Sequence, residues 1–145
     1  MFERLLVPID GTPTAERAMT ASIALARQLQ AAIVGFIAEP DLRAASDKPL
    51  ATDKTPTKAK AAADSHAHQV LKKFQAQATA AQVPFEGVMA YTAEIDEAII
   101  STAQQQHCDL IVMVTHGRGA FGERLFGSHT KSVMSKCALP LLVLR

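Results

Sequence analysis

The sequence predicts an α/β protein: an open, doubly wound, five-stranded parallel sheet with helices on both faces. Two observations carry that expectation. Short apolar, β-branched runs alternate with stretches of helical period in the order βαβαβαβαβ, and strands that alternate with helices build parallel sheets with right-handed crossovers. No shift in composition separates two cores, so residues 1–145 are expected to form one domain, large enough for a single core without disulfides or metal.

Arg4–Ile9 is the first apolar run, and Asp10-Gly11-Thr12-Pro13 turns the chain directly into a helical pattern. Thr12 suits an N-cap and Pro13 the first helical position, with Ala18, Ile23, Ala26 and Leu29 recurring on one face. Residues 32–37 are strand two. Residues 38–56 change to Pro, Asp, Lys, Thr, Ala and Ser without apolar period and are expected to form a long loop, of the kind that serves as a lid. An alanine-rich helix follows over 57–82, with Val70, Leu71, Phe74 and Ala78 inward; His66 and His68, two apart, do not share its face and make a poor metal pair. Strand three spans 83–90, interrupted by Gly87, and Tyr91 and Thr92 at its end face either ligand or solvent. The helix over 94–106 carries Glu94, Asp96 and Glu97 as favourable charge in its first turn and ends at His107, where a cation is favoured. Strand four, 110–115, is apolar enough to be covered on both faces. Strand five runs from Leu139 to Leu144, with Pro140 near its start.

The residues after strand four carry the chemistry. Gly117, Gly119, Gly122 and Gly127 allow backbone N–H groups to face a ligand, and Ser128 or Thr130 then caps a helix through Lys136 whose first amides suit a phosphate. From Leu110 onward the single acid is Glu123, against Arg118, Arg124, Lys131, Lys136 and Arg145. Two familiar glycine patterns fail here. Gly117-Arg-Gly-Ala-Phe-Gly122 spells a dinucleotide fingerprint, but no acid follows about 20 residues on to hold a ribose. Gly122-Glu-Arg-Leu-Phe-Gly127 imitates a P-loop, but Ser128 stands where lysine is needed.

Gly117, nine residues, then Gly127-Ser128, preceded by Asp-Leu-Ile-Val-Met and Thr-His-Gly-Arg, resembles the universal stress protein family. The likeness extends from Leu5-Leu-Val-Pro-Ile-Asp10-Gly-Thr to Pro140-Leu-Leu-Val-Leu. Nucleotide-binding members carry one more glycine, at the position of Val114. The resemblance implies strand order 3-2-1-4-5, which sets the loop after strand one, with Asp10 and Thr12, beside the loop after strand four. It implies a site for ATP or another adenine nucleotide, with or without Mg²⁺, made by Asp10, Thr12, Val114, His116, Gly117, Arg118, Gly127, Ser128, His129 and Thr130, with Phe36 or Ile37 bordering the base. It also implies a homodimer through strand five, whose apolar edge needs cover. Each role has a plainer alternative. Asp10 also suits a turn bonded to Thr12, and Phe36 and Ile37 also suit the core.

A net charge of +1, with 48% hydrophobic and 20% charged residues, describes a soluble globular protein without general attraction to nucleic acid or membranes. Cys108 and Cys137 lack a metal or redox spacing, and the N-terminus lacks a signal peptide, so reduced thiols in the cytoplasm are expected. Three functional classes follow: a nucleotide-binding stress protein, a dimeric stress or scaffold protein of the same fold that does not take ATP, and an ATP-splitting enzyme. The third has least support, since no Ser/His/Asp set, P-loop lysine or paired carboxylate is evident.

Overall fold

The computed structural model describes residues 1–39, 58–114 and 128–144, with side chains in the helix after residue 57 described from His66 onward. Five parallel strands, β1 (Arg4–Ile9), β2 (Ala32–Glu39), β3 (Phe85–Tyr91), β4 (Leu110–Val114) and β5 (Leu141–Leu144), form one sheet in the order β3-β2-β1-β4-β5. Helices α1 (Pro13–Leu29) and α2 (Lys58–Ala80) cover one face, and α3 (Ile95–Gln105) and α4 (Ser128–Lys136) the other.

Side chains alternate across a strand, so a sheet covered twice needs apolar residues at consecutive positions. β1 sends Leu5, Val7 and Ile9 under α1 and α2, and Leu6 under α3 and α4. β4 divides in the same way, Leu110 and Val112 against Ile111 and Met113. On α1 the buried residues Ala15, Ala18, Met19, Ile23 and Ala26 repeat every three or four positions, which makes one stripe against the sheet.

Gly35 and Gly87 are register partners in β2 and β3. β3 therefore runs through Gly87 without the expected interruption. Gly35 is the position that demands glycine: a Cβ there would lie 2.6 Å from Phe85 Cζ and 3.0 Å from Phe74 Cδ1. The two rings pack edge to face over it, centroids 4.8 Å apart. β5 begins at Leu141 rather than 139, because Pro140 has no N–H for the ladder; its carbonyl accepts from the Ile111 N–H at 3.0 Å.

Three helices end in one unexpected way. Gln30, Gln82 and His107, which follow α1, α2 and α3, adopt left-handed φ values of 56°, 60° and 53°. Each donates its N–H to the carbonyl three residues back, and the next residue donates to the carbonyl five back: Gln30 to Arg27 and Ala31 to Ala26, Gln82 to Thr79 and Val83 to Ala78, His107 to Gln104 and Cys108 to Ala103. The buried Ala31, Val83 and Cys108 supply the apolar contact that goes with this cap. His107 is thus held by its backbone, and a favourable charge is not needed to place it there. At the N-terminal ends of the strands, Asp109 accepts from the backbone N–H groups of Glu3 (2.7 Å) and Arg4 (3.1 Å), which fixes the start of β4 against β1.

Candidate functional site

In open α/β sheets a ligand crevice forms outside the strand C-termini where successive crossovers leave on opposite faces. Here that point lies between β1, which leads into α1, and β4, which leads towards α4 on the other face. The ladder between these strands covers only Leu5 with Leu110 and Leu6 with Ile111. By contrast, β1 pairs with β2 up to Ile9 and Ile37, and β4 with β5 up to Val114 and Leu144. Pro8, on the β4-facing side of β1, has no N–H with which to continue the ladder.

Asp10 stands at the exposed tip of β1, and its Oδ1 accepts from the Thr12 N–H (3.0 Å) and the Thr12 hydroxyl (2.6 Å). The turn expected for Asp10 is present. Thr12 occupies the N-cap position with Pro13 at the first helical position, but its hydroxyl is committed to Asp10 and makes no cap bond. Gly11 completes the turn at φ +73°, a value that favours glycine, and a Cβ there would approach His66 Nε2 to 2.7 Å. That contact brings α2 over the turn. A cleft of about 420 Å³ opens between the two helices, within the range of small-molecule pockets, with Glu16 and Lys73 ion-paired across it.

Phe36 and Ile37 are both 1% exposed and lie in different cores, Phe36 under α3 and α4 and Ile37 under α1 and α2. They face away from one another, so one pocket does not take both. Val114, the last residue of β4, is half-buried and packs on the α1/α2 side.

Ser128 opens α4 as its first residue, and Thr130 lies inside the helix, 4% exposed, so neither is the N-cap expected from the sequence. His129 points its Nδ1 at Asp96 Oδ1, 2.6 Å away, and joins the first turns of α3 and α4. Burial pushes the Asp96 carboxyl up, but bonds from Ser132 and His129 and the charges of His129 and Lys136 outweigh it and hold its pKa below the usual 3.8. The sequence showed Asp96 only as helix-start charge; its pairing with a residue 33 positions away has no local signal.

His116, Gly117, Arg118 and Gly127, with the loop expected over 38–56, lie outside the described residues apart from the two that end β2. Among the described residues no group of three or more His, Cys, Asp or Glu is placed to hold a metal, and no helix is long and apolar enough to cross a membrane.

The profile of the universal stress protein family matches residues 1–145. A universal stress protein of Thermus aquaticus, encoded 3′ of a QAH/OAS sulfhydrylase, is 28% identical over 146 residues, covering 100% of both chains. Among solved structures, the universal stress protein UspA of Lactobacillus plantarum superposes with a TM-score of 0.82 at 23% identity, over 99% of this chain and 98% of that one. The universal stress protein of Archaeoglobus fulgidus solved in complex with dAMP superposes at 0.65 and 14% identity, over 100% and 98%.

Proposed function

The chain belongs to the universal stress protein family, and on that premise we propose that it binds ATP or a related adenine nucleotide in the crevice between the C-terminal ends of β1 and β4. The observation that carries this reading is the switch of crossover face between the neighbouring strands β1 and β4, with Asp10 exposed at the end of β1 and α4 following β4 on the opposite face from α1. Both bonds from Thr12 fall on Asp10 Oδ1, which leaves Oδ2 for a ribose hydroxyl or base. The amides that begin α4 favour a phosphate, and Gly117, Arg118 and Gly127 precede them in sequence. The dAMP complex of the Archaeoglobus protein supports an adenine nucleotide as the ligand class. Any Mg²⁺ is expected to arrive with the phosphates, as that ion usually does. The role is binding in a cytoplasmic stress response rather than catalysis. Two copies pair through β5, an apolar edge strand whose residues are all half-buried in the single chain.

Val114 favours the second reading, a dimeric stress protein without ATP. A branched side chain where nucleotide-binding members have glycine crowds the crevice, at a cost of about 1–3 kcal/mol, or one to two decades of affinity. Denaturing the purified protein and identifying released small molecules separates the two. A bound adenine nucleotide near one per dimer or more supports the first, and a nucleotide-free protein that also fails to take up added ATP supports the second.

A further inference from the structure

A carboxylate and an imidazole pair at the end of the sheet where the nucleotide is proposed to bind: Asp96 with His129. Asp96 and His129 are each the second residue of their helices, α3 and α4. Both helices follow strands of a parallel sheet, so their first turns lie at the same end as Asp10 and Val114. The Asp96 side chain is 23% exposed and the His129 side chain 54%. The carboxylate is the more buried partner, held by a second bond from Ser132, and with Nδ1 taken by Asp96 the ring of the half-exposed His129 has Nε2 left for a further contact.

We propose that Asp96 and His129 form a proton-dependent phosphate contact: Asp96 orients the ring through Nδ1, and a proton on Nε2 makes the exposed edge a donor to a phosphate of the bound nucleotide. This rests on the nucleotide reading above. With Nδ1–H given to Asp96, a neutral ring leaves a bare lone pair on Nε2, which repels a phosphate oxygen. A protonated ring donates from both nitrogens. A cation in the first turn of a helix is opposed by the helix dipole, and the Asp96 carboxylate offsets that opposition. The other charged groups facing this pair do not replace it. Glu97 on α3 is 3.7 Å from Lys136 on α4, so those two largely cancel, and Lys131 is exposed on α4. Asp96 is thus the positioning residue, and His129 touches the ligand.

The sign follows from linkage. If nucleotide binding takes up a proton at His129, affinity is complete while the ring is already protonated in the free protein and is lost as pH rises from there through the titration of the complex. The test is calorimetric titration of ATP into the wild type, His129→Gln and Asp96→Asn at about pH 6 and about pH 8, on either side of the usual imidazole pKa of about 6.5. Titration of the γ-phosphate itself is common to all three. Wild-type affinity is expected to fall about tenfold more across this range than that of His129→Gln. Asp96→Asn keeps an Oδ1 acceptor for Nδ1–H, so α3 and α4 stay tied, yet its pH profile should approach that of His129→Gln. Equal pH dependence in all three overturns the proposal. Failure of all three to bind ATP refutes the nucleotide reading instead. In that case the NMR titration of His129 tests the pair alone: a midpoint lowered by Asp96→Asn supports proton holding by Asp96, and an unchanged midpoint overturns it.

Discussion

Replacing Gly35 by alanine is expected to destabilise the fold through packing alone, because Gly35 needs no left-handed φ. The added Cβ would stand 2.6 Å from Phe85 Cζ, 2.8 Å from Cε2 and 3.0 Å from Phe74 Cδ1. Ordinary contact begins near 3.4 Å, so the Phe85 ring must retreat by about 0.8 Å, the difference of those two distances. It has little room to do so. Phe74 is fully buried, and the two rings already meet edge to face at 4.8 Å. Overpacking of this kind costs about 1–3 kcal/mol, and alanine returns about 0.5–1 kcal/mol through reduced chain entropy. The net expectation is a loss of about 0.5–2 kcal/mol, read as a lower urea midpoint at unchanged m-value. Phe85→Leu removes the obstructing ring, so Gly35→Ala should cost less in that background, with a coupling of about 0.5–1.5 kcal/mol. A neutral or stabilised Gly35→Ala, or full additivity with Phe85→Leu, would refute the account of why β2 carries glycine.

Gln82→Gly should raise stability by about 1 kcal/mol, since the φ of 60° then carries no Cβ penalty while the cap bonds from Gln82 and Val83 persist; no gain in thermal denaturation contradicts that cap. Asp10→Asn keeps the Oδ1 acceptor for Thr12 and should shift stability by less than about 1 kcal/mol, whereas Asp10→Ala loses both bonds and should cost about 1–3 kcal/mol. Burial pushes the Cys108 thiol up to about 11 despite the neighbouring Arg4 guanidinium, so native Cys108 should resist alkylation at pH 8 while half-buried Cys137 reacts. The folded state holds that proton more tightly than the unfolded, so its contribution is complete below pH 9.0 and is lost as pH rises towards 11; a Cys108→Ala variant should lack that alkaline loss. Val143→Pro removes a donor from the free edge of β5, since the Ile111 N–H bond to Pro140 leaves Leu142 facing β4 and Val143 facing outward; it should convert a dimer to a monomer in light scattering, and an unaffected dimer would count against pairing through that edge.

The sheet was legible because burial on both faces leaves a mark that needs no partner to interpret. Leu5-Leu-Val and Leu110-Ile-Val-Met are apolar at every position, and only a doubly covered strand asks for that. The Asp10–Thr12 turn was legible for the same reason, since its bonds span two residues. What escaped depends on distance or on backbone choices that the residue type does not advertise. Gln30, Gln82 and His107 end their helices in a conformation usually signalled by glycine or asparagine, so the limits of the second and third helices were set too long. Asp96 reads locally as helix-start charge, and only the packing of α3 on α4 gives it His129. Thr130 looked like a cap because its residue type favours caps, but it lies inside α4 and is buried.

The central claim, an adenine nucleotide in the β1–β4 crevice, is tested most directly by titrating ATP calorimetrically into the wild type and Val114→Gly. Val114 packs on the α1/α2 side, so the variant is expected to lose about 1–2 kcal/mol of stability through lost burial and added chain entropy while remaining folded. Saturable binding to the wild type is predicted, tightened in Val114→Gly by up to one to two decades as side-chain bulk leaves the crevice. No detectable binding by either protein at millimolar ATP would contradict the claim.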